Sequence, residues 1–174
     1  MKSATTPAPT EKATENAASK TQDGPAIATI KTPAYEAKIH QAIAFLPKDD
    51  GVGLMKVKPG NRFIVLDMSV RNTAKEEEID MGQILLSSKV TDDKGREYRF
   101  NAMAIAAYTL SNPDPAHQAQ YNAMWGKMKP GDFYRTTVFG LEAPASTKNF
   151  VISMKEDGDV FKDTKRYEAK FSVE

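Results

Sequence analysis

The stretch "PGNRFIVLDMSVRN", residues 59–72, decides what kind of fold this chain can adopt. Ile64, Leu66, Met68 and Val70 share one parity, while Asp67, Ser69 and Arg71 take the other. Successive side chains point to opposite faces of a strand, so this period of two predicts a strand with the four aliphatic residues buried and the polar ones outward. At its entrance Pro59-Gly60 fits the central positions of a type II turn, because glycine tolerates the positive φ required at the second.

Upstream, Tyr35, Ala37, Ile39, Ile43 and Phe45 share a parity, with Glu36, Lys38 and His40 on the other, which predicts a half-buried strand with an exposed His40. Downstream, "QILLSSKVTDDKGREYRF" reads as two strands around a hairpin at Asp93-Lys94-Gly95. Further strands are expected in "DFYRTTVFGL", "NFVISM" and "RYEAKFSV". About seven short strands punctuated by Pro, Gly, Asn and Asp imply an all-β antiparallel sandwich. The segments "KVKPGNRF" and "KMKPGDFY" place one turn chemistry before two different strands.

Three of these segments resemble a known family. "PGNRFIVLDMSVRNTAKEEEID", "VTDDKGREYRF" with its Asp-x-x-Gly-x-x-Tyr hairpin, and "KPGDFYRTTVFGLEAPASTKNFVISM" are similar, in this order, to the telokin-like immunoglobulin-fold domain of unknown function found in bacterial lipoproteins and secreted proteins. That family is akin to a mycobacterial immunoprotective secreted antigen. Together the motifs span Lys58 to Met154. The resemblance implies an immunoglobulin-like antiparallel β-sandwich, exported and often tethered to the envelope, with no established enzymatic activity and no catalytic residues to transfer. Where the family passes from hairpin to Pro-Gly turn by a simple loop, this chain carries an insertion at about 103–128.

Within that insertion "SNPDPAHQAQYNAMWGKMKPGD", residues 111–132, reads as one short helix. Asp114 suits the N-cap and Pro115 the first helical position, where its missing N–H costs nothing. His117, Tyr121, Met124, Trp125 and Met128 then fall on one face. A helix this short is marginal unless a face is buried, so the stripe is expected to pack over an edge of the sandwich. The alternative is that it grips a partner, since Tyr and Trp are enriched at such anchors. The residues proposed for partner contact are His117, Tyr121 and Trp125, with the loop from Asn112 to Asp114.

The chain has 174 residues, a net charge of +1 and no cysteine. That length suits one domain, and the missing thiols exclude disulfides, zinc-thiolate sites and cysteine nucleophiles. Residues 1–26 lack the apolar content to fold, so they are expected to be a disordered tether before a domain at 27–174. Lys2 is followed by Ser3, Thr5, Thr6 and Pro7 rather than an apolar run, so no signal peptide is expected in the sequence. No run reaches a membrane span's length of about 20 residues. Either the protein is cytosolic or it is the mature part of an exported one, and the tether composition favours the second; with the envelope tethering that the resemblance implies, a lipid anchor upstream of the tether is the corresponding expectation. Interspersed charge argues against nucleic acid as a partner.

Other candidate chemistry competes with plain structural roles. His117, Met124 and Met128 have the soft donors of a copper site, but methionine ordinarily fills cores. Asp49-Asp50, Asp92-Asp93 and Asp157-Asp159-Asp163 could hold calcium, yet none has EF-hand spacing. No Gly-x-Ser-x-Gly motif is present to mark an activated serine. The expected role is a non-enzymatic, extracytoplasmic binding or protein-interaction module without a cofactor. Its rivals are a hydrolase acting on envelope carbohydrate, which needs two facing acids, and a Ca- or Cu-binding module.

Overall fold

The computed structural model describes residues 24–48, 55–159 and 161–174. The residues before Gly24, on which the expected tether falls, and Asp49 and Asp50 lie outside this set. In chain order the elements are β1 (Ala28–Lys31), β2 (Tyr35–Phe45), β3 (Asn61–Asn72), β4 (Ile79–Asp80), α1 (Met81–Leu86), β5 (Lys89–Asp92) and β6 (Glu97–Arg99). Then come α2 (Ala102–Ser111), α3 (Pro115–Met124), β7 (Lys127–Met128), β8 (Phe133–Pro144), β9 (Asn149–Lys155) and β10 (Arg166–Ser172).

Two four-stranded antiparallel sheets, ordered β1-β2-β3-β8 and β10-β9-β5-β6, form a sandwich, and β4 and β7 make a separate two-stranded ribbon. The chain lays down β2 and β3 in one sheet, crosses for β5 and β6, returns to set β8 beside β3, and crosses back to set β9 beside β5. That alternation is the Greek-key connectivity of immunoglobulin-like sandwiches. The fold is therefore all-β, as the alternation in β3 implies, although eight strands rather than about seven build the two sheets.

Ile64, Leu66, Met68 and Val70 of β3 are fully buried between the sheets, facing a layer that includes Val90, Phe150, Ile152 and Met154. Both Lys-Pro-Gly turns form alike: Asn61 N–H donates to the Lys58 carbonyl at 2.9 Å and Asp132 N–H to that of Lys129 at 3.0 Å. Gly60 and Gly131 take positive φ of 82° and 84°, where an L side chain would be strained.

Three expectations are corrected. First, "QILL" is helical: Asp80 accepts from the Gln83 N–H and caps α1, whose Met81, Ile84 and Leu85 are buried. An apolar run bounded by polar residues suits a buried helix as well as a strand, and here the cap decides. Second, the segment expected to hold one helix contains two, α2 and α3. Third, His40 is buried. The pairing of β2 with β3 shifts between Ile39 and Gln41, leaving His40 as the extra residue of a bulge.

The bulge also divides the strand's apolar set. Before it, Tyr35, Ala37 and Ile39 enter the main core; beyond it, Ile43 and Phe45 turn to the outer face. There they join Phe63, Val65 and the α2 residues Ala104, Ile105 and Ala107 in a second, smaller core. The His40 ring fixes the chain on both sides. Its Nδ1 lies 3.1 Å from the Pro25 carbonyl, which can only accept, so Nδ1 carries the proton. In the neutral ring Nε2 then accepts from the Ser69 hydroxyl at 2.7 Å, which leaves Ser69 buried although its parity is outward.

The helix α2 reaches the sheet because β8 offers bare backbone at Gly140. Asn101 N–H donates to the Gly140 carbonyl at 2.7 Å, and a Cβ on Gly140 would lie 2.8 Å from both the Ala104 Cβ and the Asn101 carbonyl oxygen. Gly140→Ala is therefore expected to lower unfolding free energy by about 1–3 kcal/mol, the cost of overpacking a tight contact. Urea denaturation measures it, and unchanged stability would show that α2 does not sit on the strand in this way.

Candidate functional site

The helices α2 and α3 border an open, largely apolar groove. Asn101 caps α2 by accepting from Met103 N–H at 2.9 Å and Ala104 N–H at 3.4 Å. Asp114 caps α3 by accepting from Ala116 N–H at 3.0 Å, with Pro115 following it. Between the helices runs a groove of about 410 Å³, walled by Ile105, Ala106, Thr109 and Leu110 of α2 and by Gln118 and Tyr121 of α3. Leu110 is 69% exposed and Met103, one turn from Ala106 on the same helix, 39%.

Neither helix contains a single Lys, Arg, Asp or Glu, in a chain that is 27% charged. The polar groups that reach the groove are neutral. Gln118 Nε2 donates to Asn122 Oδ1 at 2.9 Å, which leaves the Gln118 carbonyl oxygen as an acceptor. Burial raises the Tyr121 pKa, with partial relief from Trp125, so the phenol stays protonated.

The residues singled out for partner contact have distinct places. His117, Tyr121 and Trp125 form a series along α3, with ring centroids 6.4 Å and then 5.9 Å apart. Trp125 meets Phe100 edge-on at 5.1 Å, and Met124 and Met128 are fully buried in the main core, so much of this stripe packs. His117 shares a 2.8 Å hydrogen bond with the Thr136 hydroxyl, and burial lowers its pKa against the opposing pull of Asp114 and Asp67. Asn112 ends α2, its side-chain amide donating to the Tyr108 carbonyl at 3.0 Å. Only Tyr121 of the five lines the groove.

The α2 wall lies outside the helix expected from sequence. Its signal was present in "NAMAIAAYTL": a capping Asn followed by good helix formers without a breaker. The helix α3 also closes the exposed side of β8, because Gln120 Oε1 accepts from the Arg135 backbone N–H at 3.2 Å. A side chain thus satisfies a donor that an edge strand would otherwise present.

Of the carboxylates considered for a metal, Asp92, Asp157 and Asp159 have structural partners. Asp92 Oδ1 accepts from Lys94 and Arg96 N–H, both at 2.9 Å, and Oδ2 accepts from Arg96 Nε at 2.6 Å and the Tyr98 hydroxyl at 2.9 Å. Arg96 continues to Thr147 Oγ1 at 2.9 Å, tying the hairpin to the loop before β9. Asp157 and Asp159 accept from nearby backbone N–H groups, while the carbonyls of Asp159 and Lys162 converge on the buried Lys155 ammonium at 3.3 and 3.2 Å. Among the described residues no group of three or more His, Asp or Glu is gathered as a metal would require.

Solved structures of similar shape reinforce the fold. A conserved hypothetical protein from Bacillus anthracis superposes with a TM-score of 0.51 at 14% identity, over 84% of this chain and 92% of its own. A "putative lipoprotein" from Staphylococcus aureus gives 0.51 at 16%, over 80% and 86%. Another "putative lipoprotein", from Bacillus subtilis, gives 0.52 at 11%, over 84% of this chain but 38% of the other. No family model and no curated protein matches the chain.

Burial alone would raise the Asp92 pKa, but donation from Arg96 N–H, Tyr98, the Arg96 guanidinium and Lys94 N–H outweighs it and holds the group at about 2. A depressed folded pKa stabilises above the unfolded value of about 3.9, and the contribution disappears as pH falls through the folded one. Asp92→Asn should thus cost about 2–3 kcal/mol at pH 5. That difference should shrink as the pH approaches 2. Urea titrations of both proteins across this window check it, and a pH-independent difference would contradict the assignment.

Proposed function

We propose that the protein is a non-enzymatic binding module of the cell envelope that engages its partner through the groove between α2 and α3. The observation that carries this reading is the absence of charge from both helices combined with the exposure of Leu110. A helix apolar on every side is normally covered on every side. In α2 one face covers the sheet, while Ala106 and Leu110 line the groove and Met103 is exposed.

Support for a non-enzymatic role comes from the engagement of the reactive groups. His40 is held by Pro25 and Ser69, His117 by Thr136, and Asp92 by four donors. Envelope attachment draws on the composition of residues 1–26, on the three-motif resemblance to the telokin-like immunoglobulin-fold family, and on the description of two similar structures as "putative lipoprotein".

The test is retention of the purified full chain on isolated bacterial envelope, compared with Ala106→Glu/Leu110→Glu. Both sites are partly or largely exposed, so the variant should keep the wild-type far-UV circular dichroism. Wild type should be retained, and the variant should lose at least about tenfold in affinity, because charge enters a desolvated contact. Equal retention of the two would remove the groove from consideration as the contact site.

A further inference from the structure

We propose that the α2–α3 groove takes a small, uncharged amphiphile: an aliphatic body with a neutral hydroxyl-type head. This rests on the groove being the binding site proposed above and assigns the chemistry of its occupant. The groove volume of about 410 Å³ falls within the range of small-molecule sites. Ile105, Ala106 and Leu110 supply an aliphatic wall, and neither helix offers a counter-ion to a charged head. An ion moved from water into such surroundings loses hydration without compensation.

A neutral head does find partners. The Gln118 side chain is oriented by its donation to Asn122 Oδ1 at 2.9 Å, so its carbonyl oxygen can accept from a ligand hydroxyl. The Thr109 and Tyr121 side chains add hydroxyl groups that can donate or accept. A peptide partner is less well suited, because the backbone groups of both helices are already used within the helices and no strand edge borders the groove.

The chain contains its own reporter. Trp125 is the only tryptophan, and its ring lies 5.9 Å from that of Tyr121, which lines the groove. The experiment follows Trp125 fluorescence of the full chain at pH 7 during titration with 1-octanol, octanoate and octylammonium, each below its aggregation limit. Octanol should give a saturable change, with both charged analogues at least about tenfold weaker. Ala106→Phe, which fills the groove, should abolish the octanol response. Gln118→Leu should weaken octanol about three- to tenfold, the value of one neutral hydrogen bond.

Charged analogues binding as tightly as octanol would overturn the ligand class while leaving the groove as the binding site. An octanol response that persists in both Ala106→Phe and Leu110→Glu would overturn the site assignment, and the second variant, at an exposed position, guards against misfolding of the first. Absence of any response to all three compounds would overturn the ligand class. If envelope retention also proves insensitive to Ala106→Glu/Leu110→Glu, the underlying groove reading fails as well.

Discussion

At Gly140 the sheet has no side chain, and the first turn of α2 comes down onto bare backbone. The 2.7 Å hydrogen bond from Asn101 to the Gly140 carbonyl fixes where the helix begins, and the neighbouring Ala104 Cβ fills the space a side chain would need. This contact determines how the outer face of the first sheet is covered. Phe63 and Val65 of β3, apolar residues on the wrong parity for the main core, find their burial beneath α2. A bulge at His40 sends Ile43 and Phe45 to the same side, so two local irregularities serve one packing solution.

With α2 placed, α3 returns along the edge of β8. Gln120 meets the Arg135 amide, His117 meets Thr136, and Met124 and Met128 enter the core. The end of α3 is confined further by Gly82, where a Cβ would lie 2.5 Å from the Trp125 carbonyl. The groove is what remains between two helices fastened to the sandwich. The helix α2 packs over Phe63 and Val65 of the sheet, α3 is tied to β8 through Gln120 and His117, and Tyr121 of α3 packs against the α2 cluster.

Much of the sandwich was legible in residue order. The period-two alternation of β3, the Lys-Pro-Gly turns before β3 and β8, and the Asp92-x-x-Gly95-x-x-Tyr98 hairpin all report local physics. Asp92 gathers the turn's N–H groups, Gly95 takes a φ of 76°, and Tyr98 donates back to Asp92. What escaped was set by contacts distant in sequence. His40 is buried because of a bulge against Met68 and Asp67, and "QILL" is helical partly because the α1 backbone at Gly82 must meet Trp125. The aromatic stripe of α3 was visible, but α2, the other wall of the groove, looked only like an apolar run. Its role depends on Gly140, which the chain reaches some thirty residues later.

We propose that this sandwich, with His40, His117 and Asp92 held in structural hydrogen bonds and with two charge-free helices beside an apolar groove, is organised for contact rather than for turnover. Hydrogen–deuterium exchange of the full chain, with and without isolated envelope, tests that claim most directly. The account predicts added protection concentrated in residues 102–111 and 118–121, with the β3 and β8 amides unchanged. Protection concentrated instead at the far end of the second sheet, around Asn149–Val151 and Lys170–Ser172, would contradict it, as would no change at all.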